Sequence, residues 1–342
     1  MPMCGSPVVK QVCNTSICVL ARAARLWRTR SFCTRSLEMS TAKYALVRDS
    51  RPVPCSSPAD LWLKAAPRGA YTTARTFEQD KVFELTAHIN RLASSCQQML
   101  QHDSQEDGKQ HSAEVDQLSD ASQLRPRVVS SLKAAVQQFR QASPQHEGEL
   151  KLTVLVTWET GKGVIHSHVA ALPPRPKPPV KVQARGAPRQ NATAKDSEWV
   201  RTRQALEKDK PPDVNEILLV TEQGNVLEGT QTNFFAVMDG AVYTARDGVL
   251  LGTVRGVLLE VCDREGIQVV SEPPSIHSID SWQGAAIAST SRLFLPVHSL
   301  EYQTRQGETK NKSFDYSDPQ HLFTKLEQLV LAEVARRSEE LL

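Results

Sequence analysis

Hydrophobic positions along this chain follow two periods. Alternating or short unbroken apolar runs, the pattern of strands, occupy residues 69–77, 81–85, 151–158, 164–172, 216–221, 226–238 and 285–289. Helical spacing joins Leu85, His88, Ile89, Leu92 and Cys96, then Val128, Leu132, Ala135, Val136 and Phe139, and later Val254, Val257, Leu258 and Val261. Residues 196–208 and 322–337 also suit helices. The punctuation agrees: Pro126 suits a helix start, Gly161-Lys162-Gly163 and Gln223-Gly224-Asn225 suit turns, and Gly266 suits a helix end. Residues 101–123 are rich in Gln, Asp, Ser and His without a period, which predicts an exposed loop or insertion.

Strands alternate with helices in both halves, so the expected class is α/β or mixed α+β. The run Pro173-Pro-Arg-Pro-Lys-Pro-Pro179 can join neither a helix nor a sheet interior, because proline fixes φ and lacks the amide donor. It predicts a linker over 173–180 between an amino-terminal domain, 40–172, and a carboxy-terminal domain, 181–342.

Composition narrows the chemistry. Among 342 residues, 40% are hydrophobic and 23% charged, with a net charge of +3, so nothing electrostatic argues for nucleic acid. The first 37 residues hold six Lys or Arg and no acid, a composition typical of organelle transit peptides; residues 1–39 are read as such a segment, with a plastid address favoured over a mitochondrial one. No apolar stretch reaches the roughly 18 residues of a membrane span. Four of the seven cysteines fall in that segment and none forms C-x-x-C, and the nine histidines show no ligand spacing, so neither a disulfide framework nor a metal site is expected. Walker, dinucleotide-binding, nucleophile-elbow and H-E-x-x-H signatures are all missing from the sequence.

Several motifs in order carry a resemblance instead. Leu227-Glu-Gly-Thr-Gln-Thr-Asn-Phe-Phe235 resembles the E-G-x-x-x-N-x-F block of the fold-type-IV, or class IV aminotransferase, group, and Lys195 stands thirty-three positions before Glu228, a spacing that group shows. Gly252-Thr-Val-Arg255 is similar to its phosphate-binding turn, and Ser289-Thr-Ser291 with Pro296-Val297 to its second phosphate strand. Gly69-Ala-Tyr-Thr-Thr-Ala-Arg75 and His88-Ile-Asn-Arg-Leu92 resemble segments of the aminodeoxychorismate lyases within the group. Each motif alone is weak, since Glu228 by itself reads as a solvated acid, Thr253 as an N-cap and Arg91 as a helix-surface charge.

The resemblance, which covers roughly residues 61–300, implies a two-domain fold like that of D-amino acid aminotransferase, a homodimer, and pyridoxal 5'-phosphate (PLP) as cofactor. It implies Lys195 as the lysine that carries the cofactor and then serves as general base and acid, and Glu228 as the partner of the pyridine nitrogen. Arg91, Thr253, Val254 and Thr290 would bind the phosphate, helped by a helix N-terminus. Thr73 is the candidate proton relay. Arg75, Arg255 and Arg292 are candidate carboxylate binders, because arginine's planar fork matches a carboxylate. The implied reaction is amino-acid transamination, or the elimination that turns aminodeoxychorismate into p-aminobenzoate and pyruvate. The family's D-R-G-x-x-x-G-D-G stretch is missing, and Val200 stands where branched-chain aminotransferases carry tyrosine. That departure motivates a rival reading, a non-catalytic scaffold or partner-binding homologue.

Overall fold

The computed structural model describes residues 43–107, 111–158 and 161–342. The transit-like segment, 1–39, lies outside the described residues.

The strands at 69–77, 81–85, 151–158 and 164–172 form the centre of a seven-stranded antiparallel sheet. Its order is Ser338–Glu340, Lys81–Phe83, Ala70–Phe77, Leu150–Thr157, Val164–Ala171, Tyr44–Arg48 and Arg51–Val53. Helices Leu85–Asp107 and Ala121–Ala142 cover one face. Ile89, Leu92, Cys96, Leu132 and Val136 pack there against Leu152, Val154 and Val169, all buried. Alternation leaves Tyr71, Thr73 and Arg75 on the other face of Ala70–Phe77, opposite Leu155, Thr153 and Lys151 respectively.

A second, mixed sheet runs Val269–Val270, Ala241–Tyr243, Asn233–Met238, Val226–Gly229, Glu216–Val220, Lys181–Gly186, Ser299–Gln303 and Thr309–Ser313. Gly284–Ser289 branches from Asn233–Met238 and pairs with Leu293–Val297. Helices Thr253–Arg264 and Leu322–Arg336 bury Val254, Leu258, Val261, Leu326 and Val330 against it around Phe235 and Phe294. The last strand, Ser338–Glu340, returns to the first sheet, so both sheets belong to one compact unit, Ser40–Leu342.

Three expectations change. Residues 101–123 are not one loop: the helix from Leu85 continues to Asp107, and a short helix, Ala113–Asp116, and a 3-10 turn, Gln117–Ser119, follow. Val115 and Leu118, isolated apolar residues in a polar stretch, are buried in the core and tie it down. The next helix starts at Ala121, where Asp120 accepts from the Ser122 amide as N-cap, so Pro126 lies inside the helix rather than at its start. The expected strand at 226–238 breaks into Val226–Gly229 and Asn233–Met238, because the hydroxyls of Thr230 and Thr232 donate to the buried carboxylate of Glu216 at 2.6 and 3.2 Å. That break sets Glu228 directly opposite Asn233.

Candidate active site

A cleft of about 350 Å³ collects most of the predicted residues: Thr73, Arg91, Lys195, Glu228, Thr253, Val254, Thr290 and Arg292 all line it. Their positions follow from local structure. Lys195 lies in an irregular segment pinned on two sides, its amide donating to Ser95 Oγ at 3.0 Å and its carbonyl accepting from the Tyr71 amide at 2.9 Å. The side chain is thereby laid across the Tyr71 ring, with Nζ 4.7 Å from the ring centre. Although the residue touches the cleft, its amine is strongly desolvated. That burial, aided by the charges of Arg91, Arg189 and Arg203 and opposed by Glu228, holds the Lys195 ammonium well below its ordinary 10.5.

A stability signature follows. Between the depressed value and 10.5 the unfolded chain binds a proton at this lysine that the folded chain does not, so this group's contribution to stability falls as pH drops through that window. In cofactor-free protein, Lys195→Met is expected to raise the melting temperature at pH 7. That gain should shrink as pH climbs towards and past 10.5; differential scanning calorimetry across pH checks both.

Glu228 sits at the end of Val226–Gly229, with one oxygen accepting from Arg189 Nε at 2.8 Å and the other from the Leu250 amide at 3.0 Å. Both members of the ion pair are nearly sealed from solvent. Burial raises the Glu228 carboxyl above its usual range while Arg189, the Leu250 amide and Lys195 pull it back. Arg189 is held in turn by the carbonyls of Ala192 and Ala194, with Trp199 stacked 5.7 Å from its guanidinium carbon. Trp199 is itself anchored by its indole N–H on the Thr230 carbonyl, at 2.7 Å.

At the other end of the cleft the helix Thr253–Arg264 begins. Its N-cap is Gly252, which supplies no side-chain cap, so the first-turn amides of Thr253 and Val254 have no intrahelical partners and the positive end of the helix dipole faces the cleft. The hydroxyls of Thr253 and Thr290 meet at 3.1 Å, and both residues are buried. Arg91 comes in from the helix Leu85–Asp107. One of its terminal nitrogens donates to Thr72 Oγ1 at 2.8 Å, while its buried Nε has no partner. Thr72 also bonds His88 Nδ1 at 2.8 Å, and burial beside Arg91 and Lys195 drives His88 far below its ordinary value, leaving it neutral. Thr72 is thus committed to orienting Arg91, and Thr73, on the opposite face, is the threonine that meets the cleft.

Gly252 is required by contact, not by φ. A Cβ there would lie 2.1 Å from Asn233 Oδ1, whose amide nitrogen donates to the Leu250 carbonyl at 2.7 Å. Gly252→Ala should therefore push Asn233 off Leu250 and cost about 1–3 kcal/mol, the usual range for overpacking, read by urea unfolding.

The three candidate carboxylate binders fare differently. Arg255 is buried and donates to the Ala245 carbonyl at 3.0 Å, facing away from the cleft, because it is the third residue of a helix whose first two turn their amides to it. Arg75 shares a strand face with Thr73 but lies one step beyond the lining residues and contacts its own neighbour, Thr76. Arg292 does reach the wall, yet its charge is met at 2.6 Å by Glu216. The sequence reading did not single out Arg189, Lys151, Thr153 or Arg203, which also line the cleft. Arg189 sits in a loop with no periodicity to flag it, and Arg203 resembles any helix-surface charge until the expected 196–208 helix breaks around it into Glu198–Thr202 and Gln204–Lys208.

Comparison with known proteins places this geometry. The profile for amino-transferase class IV matches residues 69–300, more than half of the chain. The chain belongs to the class IV aminotransferase family. A curated protein of Methanocaldococcus jannaschii, provisionally named a branched-chain-amino-acid aminotransferase, is 32% identical over 90 residues, 26% of this chain. The match spans only 31% of that relative. Among solved structures, a fold IV transaminase from Curtobacterium pusillum aligns at 18% identity over 84% of this chain and 99% of its own, with a TM-score of 0.61. The PLP-bound form of a protein from Mycobacterium tuberculosis described as a hypothetical aminotransferase aligns at 17% identity over 85% of this chain and 99% of its own, also at 0.61. At these identities the structures establish fold type IV for this class IV chain. Arg91, Lys195, Glu228, Thr253 and Thr290, which line the cleft, all fall within the matched residues.

Proposed function

We propose that this chain is a PLP-dependent transaminase of amino acids, with Lys195 as its catalytic amine. The observation that carries the reading is the placement of a desolvated lysine between a buried, arginine-paired carboxylate and an uncapped helix N-terminus backed by Arg91. Those are the three anchors the cofactor calls for, and the residues fit it: an amine to bond its aldehyde, Glu228 to hold its ring nitrogen protonated, and the amides of Thr253 and Val254 with Thr290 and Arg91 to receive its phosphate. The partnerless Nε of buried Arg91 is the donor such a phosphate would satisfy. When bound, the cofactor supplies an electron sink for the bond broken at the substrate's α-carbon.

The chain's own residues do the rest. Lys195, whose ammonium is disfavoured by burial, is able to take the α-proton and return it, with the Tyr71 ring restricting where its amine points. Arg189 keeps Glu228 charged and still, and Trp199 holds Arg189. The first-sheet face that carries Tyr71 and Thr73 forms the wall on the substrate side, and Thr73 offers a hydroxyl there for proton relay. A homodimer is part of the proposal, on family resemblance.

A second reading is elimination from aminodeoxychorismate. It is supported by the Gly69–Arg75 and His88–Leu92 resemblances, and it shares every residue just named. Incubation of the full chain with PLP and each substrate separates the two. Conversion of an amino donor to its keto acid, with an acceptor taking up the amine, supports transamination; pyruvate released from aminodeoxychorismate without an acceptor supports the lyase. Neither product would return the chain to the scaffold reading.

A further inference from the structure

The phosphate cup draws its donors from two helices that the last residues of the chain tie together. Leu85–Asp107 carries Arg91, and Thr253–Arg264 opens with the uncapped amides of Thr253 and Val254. Arg337, the residue that follows the helix Leu322–Arg336, reaches both. Its Nη1 donates at 3.2 Å to Glu84, immediately before the Arg91 helix, and its Nη2 donates at 2.6 Å to Glu260 on the other helix. Its Nε donates to Glu333 at 2.7 Å. None of these residues lines the cleft.

The grip on Glu84 is also made through the backbone. The Glu84 amide donates to the Arg337 carbonyl at 3.0 Å, and the Glu84 carbonyl accepts from the His88 amide at 2.9 Å, where the helix starts. Glu84 has a φ of 55°, in the left-handed region that a glutamate enters only at a cost, so its partners hold this turn. Just past Arg337, Glu339 accepts from the Thr86 amide at 2.7 Å and the Thr86 hydroxyl at 2.9 Å, in the first turn of the same helix. A carboxylate is favoured there by the free amides and by the dipole. Leu341 then buries itself in the core of the first sheet. On the side of the second helix, Glu333 accepts from Arg264 at 2.8 Å as well as from Arg336 and Arg337. Burial would raise the Glu333 carboxyl, but the hydrogen bonds from Arg337, Arg336 and Arg264 bring it down to about 2, so it stays charged.

We propose that Arg337, acting with Glu339, is a positioning residue for the cofactor phosphate. The clasp keeps Arg91 and the amides of Thr253 and Val254 converging on one anion. Donors that must be gathered at the moment of binding lose affinity that preorganised ones keep. The proposal rests on the PLP reading and adds to it residues outside the cleft. The Glu260 arm is mostly exposed and weak alone, whereas Glu84 and Glu333 are sheltered, so the coupling runs chiefly through them.

The test titrates the full chain, freed of cofactor, with PLP and with pyridoxal, which keeps the aldehyde and the ring but has no phosphate. Calorimetry gives the ratio of the two affinities, and the wild type is expected to prefer PLP. Arg337→Met should shrink that preference about tenfold, the low end of the roughly 10–100-fold seen when partners behind a metal's ligands are removed, and should leave pyridoxal binding unchanged. Arg337→Lys, able to keep one arm, should shrink it less. Glu84→Gln keeps the size of the side chain and weakens a sheltered arm, so it should act in the same direction; it carries the test if Arg337→Met fails to fold, as melting temperatures show. An unchanged ratio in the folded variant overturns the proposal, and so does an equal loss of both ligands, which is what a merely structural support would give. A wild type that binds neither ligand, or both alike, fails the cofactor reading itself, so the two failures are read in different proteins.

Discussion

Arg189→Met should destabilise the protein by about 3 kcal/mol or more, because it strands Glu228 in a site where water cannot replace the lost partner. Desolvation already raises the Glu228 carboxyl, and without Arg189 the group escapes only by taking up a proton. Two consequences follow. The variant's stability should depend on pH more steeply than the wild type's: it should be firmer under acidic conditions, where Glu228 is protonated, and weaker as pH rises through the further elevated value and folding must hold a bare carboxylate. Replacing both partners, Arg189→Met with Glu228→Gln, should recover most of the loss, since an amide leaves no buried charge unpaired. Urea unfolding of the two single variants and the double variant at several pH values measures this directly, and equal losses in the single and double variants would show that the pair is not the cause. Cofactor retention should follow a different order, with both variants that lack the Glu228 carboxylate weak whatever their stability.

Lys195→Ala should lower turnover by at least about 10⁴-fold, the upper range for removing a positioned general acid-base group, while leaving the fold intact or slightly firmer. The dissociation of function from stability is the informative part. An ordinary exposed lysine would give neither effect, and a structural one would give a drop in both. Here the group is costly to the folded state, desolvated and surrounded by Arg91, Arg189 and Arg203, and that cost is what lowers its ammonium below the ordinary lysine range. Single-turnover kinetics with a saturating amino donor, compared with the melting temperature of the same preparation, checks the pair of outcomes.

The parts of this molecule legible in the sequence are those set by local periodicity and by short motifs. Alternation at 151–158 and 164–172 gave the central strand pair of the first sheet, and the Leu85, Ile89, Leu92 spacing gave the helix that carries Arg91. The edges were not legible. Tyr44–Arg48 with Arg51–Val53, and Ser338–Glu340, are short strands whose pairing comes from partners far away in the chain, Val164–Ala171 and Lys81–Phe83. The break after Glu228 was hidden because its cause is a carboxylate twelve residues earlier, Glu216, which two threonines and Arg292 converge upon.

The site divides in the same way. Residues embedded in motifs, Lys195, Glu228, Arg91, Thr253, Val254 and Thr290, all meet in the cleft. The arginines chosen for their chemistry alone did less well: Arg255 turns away into the protein, Arg75 falls one pair short, and Arg292 is spent on Glu216. A side chain's type tells what it is able to bind, but which way it faces depends on the helix phase and strand register, and those are tertiary facts. Arg189, Lys151 and Arg203 were invisible for the same reason.

The central claim is that Lys195 is the residue that bonds the cofactor. The direct measurement is to load the full chain with PLP, record the visible absorbance, reduce with borohydride, and map the peptides by mass spectrometry. The account predicts a visible band that reduction abolishes and a single pyridoxyl group on Lys195, lost in Lys195→Ala. A chain that binds no PLP, or a label spread over surface lysines with Lys195 unmodified, would contradict it.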